Sequence, residues 1–169
     1  MGNVIDYLVQ YGDQAFAEQA FCDVDVLILA QLSYFDFGSA VPTIAQHKKS
    51  VTLEEIDRTA DLSAVFADKW YGENNRKLWN ALLAGRRFRT IRCNYYRERI
   101  EEEQEAQFGA VTFFPEGCEP VVAFRGTDDS VVGWKEDFNM SYLKNVPAQD
   151  SALCYFKSAA EELDGVFIL

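Results

Sequence analysis

Several features are scarce or missing in this 169-residue sequence, and each absence excludes a class of protein. There is one histidine, His47, and none of the four cysteines belongs to a C-x-x-C pair, so no spacing fits a zinc site. No apolar run approaches the roughly eighteen residues that a membrane-spanning helix needs. The first residues also lack the basic and apolar regions of a signal peptide. We therefore expect a soluble, cytoplasmic protein with reduced and mostly buried thiols.

Positive charge is also scarce, with 16 Lys+Arg against 27 Asp+Glu and a formal net charge of -11. A nucleic-acid binder needs a basic face that displaces counterions from phosphates, so nucleic acid is not an expected partner. The same balance disfavours electrostatic binding to anionic membranes. Residues 97–107, "RERIEEEQEAQ", are the densest charge run. We interpret this run as a solvated turn or strand edge, with an acidic partner-binding patch as the alternative.

The sequence is rich in apolar side chains, at 49% hydrophobic and 14% aromatic, which suits one domain with a substantial core. Apolar periodicity predicts helices over residues 3–11, 23–37, 74–85 and 149–165. The capping box at 52–55 predicts one more helix, which begins after it. Alternating or continuous apolar runs predict strands over 90–96, 108–114, 121–124 and 166–169. The strands at 108–114 and 121–124 should form a hairpin.

This order of elements indicates an α/β protein in one structural domain. Residues 1–89 form a predicted helical N-terminal extension, and residues 90–169 form the strand-containing part. The strand–helix–strand order at the end favours a right-handed crossover and a parallel pair, hence a mixed sheet. Residues 166–169, "VFIL", are apolar throughout, as in a strand buried on both faces. Such strands rarely end a protein, so we expect an N-terminal piece of a longer chain; a short protein with a terminal strand is the alternative.

The stretch "VVAFRGTDDSVVGWKEDF", residues 121–138, changes abruptly from a buried strand to a polar corner. Thr127, just past the strand, offers both a backbone N–H and a hydroxyl, and Gly126 allows a tight turn there. Asp128 and Asp129 are favoured turn residues, and we prefer that interpretation to a metal or acid/base pair. No cofactor is implied, and the polar surroundings of His47 predict a surface position.

The residues "FRGTDDSVVGWKEDFNM" (124–140), with weaker matches at "DVLILAQLSY" (25–34), "RF" (87–88) and "QFGAVTF" (107–113), carry a family resemblance. They resemble class 3 lipases of the α/β-hydrolase fold, and more closely a bacterial family of uncharacterised hydrolase-like proteins. The resemblance covers the N-terminal portion of such a fold. It implies that Thr127 is an oxyanion-hole residue. It also implies that an Arg125–Asp137 pair braces the loop, with Asp128 as an alternative partner. We expect Trp134 to pack beneath the loop, with a contact to substrate as the alternative.

The resemblance also implies a catalytic serine that this sequence lacks. None of the ten glycines lie four apart, so no G-x-S-x-G elbow occurs, and the serine, acid and histidine would all follow Leu169. We therefore expect an inactive N-terminal part of a serine hydrolase for ester or acyl-lipid substrates, whose partner is the missing C-terminal half. The alternatives are a non-catalytic acidic interaction module and one half of a two-chain enzyme. A further expected partner is a second copy of the chain, through apolar surface at 166–169.

Overall fold

The computed structural model describes residues 2–67, 71–101, 106–126, 134, 138, 141 and 146–163, without the side chains of 100, 101 and 106. Its helices are α1 (Val4–Tyr11), α2 (Asp23–Leu32), α3 (Leu53–Thr59), α4 (Leu62–Val65), α5 (Gly72–Ala84), α6 (Arg86–Arg89) and α7 (Pro147–Leu163). Its strands are β1 (Val51–Thr52), β2 (Arg92–Glu101), β3 (Ala106–Phe114) and β4 (Val121–Arg125). Two short 3-10 helices, Gly38–Ala40 and Ile44–Gln46, follow α2. The mixture of helices and strands confirms the predicted α and β content.

The described strands form one sheet in the order β1-β2-β3-β4, and every neighbouring pair is antiparallel. The predicted β3–β4 hairpin is confirmed. The predicted mixed sheet is not found among the described strands, because the parallel pair depended on residues 166–169, which lie outside the described residues. One strand also interrupts the predicted helical extension: β1 lies within residues 1–89 and pairs with β2.

Helices cover both faces of the sheet. On one face, helical residues such as Leu29 and Trp79 share a core with Cys93, Val111 and Val121. On the other face, Tyr155 and Ala159 of α7 pack against a smaller core of sheet residues. Strand β4 therefore reads as a continuous apolar run, which is usually a feature of parallel strands. Here the two helical layers bury both faces of an antiparallel strand.

Local capping interactions define where the predicted helices begin. The Asn3 side chain accepts hydrogen bonds from the amides of Ile5 and Asp6, and α1 begins at the next residue. At α3, the Thr52 hydroxyl accepts from the Glu55 amide (3.1 Å), and the Glu55 carboxylate accepts from the Thr52 amide (2.8 Å). This reciprocal pair is the predicted capping box, and it satisfies two amides that otherwise lack helical partners.

A bulge in β2 overturns one predicted pattern. The sequence alternation suggested that Ile91, Cys93 and Tyr95 share one face of the strand. The register instead shifts between Asn94 and Arg97, and Tyr95 has φ +60°. The extra residue turns Tyr95 to the α7 side of the sheet, whereas Cys93 stays in the larger core.

The boundaries of two predicted helices also differ. Helix α2 ends at Leu32 rather than at residue 37, and Phe35 and Phe37 are buried in the irregular segment that follows. Helix α7 spans Pro147–Leu163, close to the prediction. Among the described residues, no helix combines the length and the apolar character that crossing a membrane requires.

Candidate functional site

The end of β4 is held by an ion pair that crosses the sheet. Arg125 is the last residue of β4, and its side chain is only 9% exposed. Its Nη1 donates to Oε1 of Glu98 on β2 (2.5 Å). The second carboxylate oxygen, Oε2, accepts from the Tyr96 hydroxyl (2.8 Å). Burial, followed by this hydrogen bond to Glu98, raises the pKa of Tyr96, so the phenol remains a donor to the carboxylate.

Gly109 makes the crossing possible. Glu98 pairs with Gly109 across β2 and β3, and Gly109 pairs with Arg125 across β3 and β4, so the three residues form one row. A Cβ at Gly109 would lie 3.0 Å from both Cβ and Nε of Arg125. The guanidinium therefore crosses β3 where the middle strand has no side chain. A glycine inside a strand often marks such a close approach.

Sequence reasoning predicted a carboxylate for Arg125 but not this one. Asp137 and Asp128, the expected partners, lie outside the described residues, so the Arg125–Asp137 pair stays a prediction. Within the described part of the chain, Nε and Nη2 of Arg125 are buried without a hydrogen-bond partner. Glu98 thus satisfies one edge of the guanidinium and leaves donors for a further acceptor. The sequence signal that could have indicated this partner is the glycine at position 109, because a glycine inside a strand often marks a close approach.

The remaining predicted site residues follow Arg125. Gly126 is exposed, and a Cβ there would lie 2.7 Å from the hydroxyl of Tyr34, on the segment after α2. Thr127, the predicted oxyanion residue, lies outside the described residues, as do Asp128 and Asp129. Trp134 is 70% exposed. The loop it is expected to support is not described, so its supporting role stays a prediction.

The thiols and the histidine can be compared directly with their predictions. All four cysteines are free, but only Cys93 is buried, while Cys22 and Cys118 are half-buried and Cys154 is exposed. The prediction of mostly buried thiols is therefore wrong, because helix faces and turns leave three of them near the surface. His47 is exposed, as predicted, with Nδ1 3.8 Å from a Glu162 carboxylate oxygen. Among the residues that the structure describes, no cluster of potential metal ligands occurs.

A second buried arginine, which sequence reasoning did not single out by its chemistry, joins α6 to α2 and to the segment between α1 and α2. Arg87 and Asp25 form a bidentate pair through Nε–Oδ1 (2.9 Å) and Nη2–Oδ2 (2.6 Å), with both side chains fully buried. The other N–H groups donate to the backbone carbonyls of Gln14, Gln19 and Ala20. All five guanidinium donors are thereby satisfied, so this pair is structural.

The surroundings of this pair fix its charge state. Burial by itself would raise the pKa of Asp25, but hydrogen bonds from Arg87, the Cys22 amide and Tyr7 lower it below its ordinary value. The Tyr7 hydroxyl donates to Asp25 Oδ1 at 2.9 Å. The guanidinium also stacks on the Phe16 ring, with Cζ 4.2 Å from the ring centre. Asp25 therefore remains ionised and paired.

An open cleft of about 630 Å³ lies beside the β2 bulge, between the second 3-10 helix and α7. Its walls include Ile44 and the rings of Tyr95 and Tyr155. Glu98 also lines the cleft, so the cleft and the end of β4 share this carboxylate. A concave, mainly apolar site with a few convergent polar groups is the usual form of a small-molecule pocket.

Residues 82–169 match the model of the Mbeg1-like family. The chain belongs to the Mbeg1-like family. The matched region begins at the end of α5 and contains β2, β3, β4 and α7, together with Arg125, Gly126 and Thr127. No curated protein matches the chain, and no solved structure does.

Proposed function

We propose that this chain forms the N-terminal part of a serine hydrolase with an α/β-hydrolase-like fold, acting on an ester or acyl-lipid substrate. The proposal rests on the resemblance of residues 124–140 to the oxyanion loop of lipase-like enzymes. The structural observation that best supports the proposal lies at the end of β4. There the buried Arg125 forms an ion pair with Glu98, immediately before Gly126. A loop that stabilises a developing negative charge must be positioned before reaction, because its donors act without reorganising.

In this proposal Thr127 contributes a backbone N–H and a hydroxyl to the oxyanion hole. Arg125 does not touch the substrate but positions the loop through its pair with Glu98, and Asp137 is a further candidate partner. The nucleophile, acid and base belong to residues after Leu169 or to a separate chain. A cytoplasmic location belongs to the same proposal, supported by the free cysteines.

The test is to express the chain together with whatever follows Leu169 in its reading frame and to measure hydrolysis of p-nitrophenyl butyrate. We expect saturable hydrolysis and labelling of one serine by a fluorophosphonate. Removing one oxyanion donor typically lowers kcat about 10²- to 10³-fold. We expect Thr127→Val to lower kcat by such a factor or by a smaller one, depending on how much the backbone N–H contributes. Thr59→Val, at an exposed position on α3, serves as the matched control.

Two results would count against the proposal. The longer protein would neither hydrolyse esters nor react with the phosphonate, or the 169-residue chain alone would hydrolyse them with saturation kinetics. Equal activity of the Thr127→Val and wild-type proteins would remove the hydroxyl from the mechanism and leave only the backbone N–H. A Thr127→Pro variant, which lacks that N–H, would then have to be inactive.

A second candidate, a binding module for a separate chain, is favoured by two exposed aromatic side chains. Trp134 and Phe138 are four residues apart, and each is 70% exposed. Large exposed apolar groups often belong to protein–protein contacts. When the chain is mixed with a separately expressed C-terminal half, light scattering should then show a mass above that of one chain, which Trp134→Ser with Phe138→Ser should reduce to the monomer. A monomeric wild-type chain that captures no C-terminal half would argue against this candidate.

A further inference from the structure

The cleft beside the β2 bulge has features of a binding site. Its position depends on Tyr95, a non-glycine residue at φ +60°, in the bulge of β2. Such a conformation is unfavourable for a non-glycine residue and persists only where the surrounding structure imposes it. The bulge places the Tyr95 ring in the cleft wall, where it forms a T-shaped pair with Phe114 at a centroid distance of 6.2 Å.

The floor of the cleft is aromatic and rigid. The Tyr155 hydroxyl is hydrogen-bonded to Thr112 Oγ1 at 2.8 Å, and the Tyr155 ring packs against Phe108 and Phe124. These contacts hold the ring in one orientation. An apolar ligand would therefore meet a preformed surface and would not have to order it.

The charged side chains that line the cleft differ in whether they already have hydrogen-bond or ion-pair partners. Both oxygens of Glu98 already accept hydrogen bonds, from Arg125 and from Tyr96. Arg97 also lines the cleft, and its guanidinium lies over the Phe108 ring with Cζ 5.9 Å from the centre. Among the described residues, no carboxylate forms a salt bridge with Arg97. In a chain of net charge -11, the cleft thus contains a cation whose charge is available to an anion.

We propose that this cleft binds an apolar organic acid, with its carboxylate on Arg97 and its body among Ile44, Tyr95 and Tyr155. A guanidinium is the side chain best matched to a carboxylate, because two parallel N–H donors meet two oxygens. The cleft is lined mainly by apolar and aromatic surface, which suits an apolar body. This inference does not depend on the proposed hydrolysis, and binding is measured on the 169-residue chain itself.

The experiment titrates octanoate into the ¹⁵N-labelled chain and follows amide shifts, with octanol as the uncharged comparison. We expect saturable binding of octanoate, with the largest shifts at Tyr95–Glu98 and at Ser158, a cleft residue on α7. Arg97→Gln should weaken octanoate binding roughly tenfold, as expected for one charge-assisted contact, while leaving octanol binding unchanged. Arg92→Gln is the matched control, since Arg92 lies on the same strand over the Phe114 ring (5.8 Å) but does not line the cleft.

A second pair of variants separates filling of the cleft from loss of charge. Ser158→Trp places a large ring at the cleft and should abolish binding of both ligands. Lys157→Trp, at the neighbouring exposed position of α7, should leave both unchanged. The proposal is overturned if octanoate does not saturate, if its shifts lie elsewhere, or if octanoate and octanol bind equally well. It is also overturned if Arg92→Gln weakens octanoate binding as much as Arg97→Gln.

Discussion

At the residue scale, the two buried arginines differ in how completely their donors are used. Arg87 uses all five, two on Asp25 and the others on backbone carbonyls. Arg125 donates to Glu98 through Nη1, while Nε and Nη2 lack a partner among the described residues. A fully bonded arginine holds segments together, whereas one with unused donors adjoins a loop where another acceptor is needed. The first is therefore structural, and the second is the candidate positioning residue.

The structural role of Arg87 predicts a large loss of stability on substitution. Arg87→Lys should lower the free energy of unfolding by about 3–5 kcal/mol, because lysine cannot reproduce the fork and leaves the buried Asp25 poorly paired. Urea denaturation measures the change. The control is Arg86→Lys, because Arg86 pairs with Glu18 at the surface and should tolerate the change with little effect. Equal losses in the two variants would contradict this assignment.

At the element scale, local signals predicted well where an element begins but less well which face a residue occupies. Asn3 and Thr52 cap the helices that their positions indicated. The bulge at Asn94–Arg97 could not be predicted from alternation, because alternation assumes an uninterrupted period of two. Tyr95 consequently faces the cleft rather than the larger core. A strand's faces depend on its neighbours' register, and that register is a tertiary property.

The capping box at α3 gives the prediction at this scale. Thr52→Ala removes the hydroxyl that accepts from the Glu55 amide and should lower the free energy of unfolding by about 1 kcal/mol. Thr59→Ala at the other end of the same helix should have a smaller effect, because that hydroxyl only bonds back to the Glu55 carbonyl. Thermal and urea unfolding of both variants provide the comparison. A larger loss for Thr59→Ala would show that the cap is not what stabilises the start of α3.

At the scale of the whole molecule, the core joins the two segments that the sequence distinguished. Helical residues before position 90 and sheet residues after it belong to the same apolar cluster, and α7 closes the opposite face. The Arg87–Asp25 pair connects α6 to α2 inside this structure. Loss of that pair should therefore lower the stability of the whole fold rather than that of one helix.

Acid unfolding tests this connection. The pKa of Asp25 in the folded chain lies below its ordinary value. That ordinary value, which applies to the unfolded chain, is about 3.9. The pair's contribution to stability is therefore fully present above that value and is lost as the pH falls through the folded pKa. Carboxyl-carbon NMR should show Asp25 titrating below its ordinary range, and the free energy of unfolding should decrease over the same pH interval. An Asp25 pKa at or above the ordinary value would contradict the prediction.

The sequence by itself determined the helix starts, the β3–β4 hairpin and the mixed α and β content, because capping residues, turns and apolar periods act over a few neighbouring positions. It also indicated that β4 changes abruptly at its end from a buried strand to a polar corner. Only the tertiary structure decided that the described sheet is antiparallel and that Glu98 reaches Arg125 over Gly109. It alone decided that Tyr95 faces a cleft. These features depend on strand register and on residues distant in sequence, and no local pattern encodes which side chains such pairing brings together.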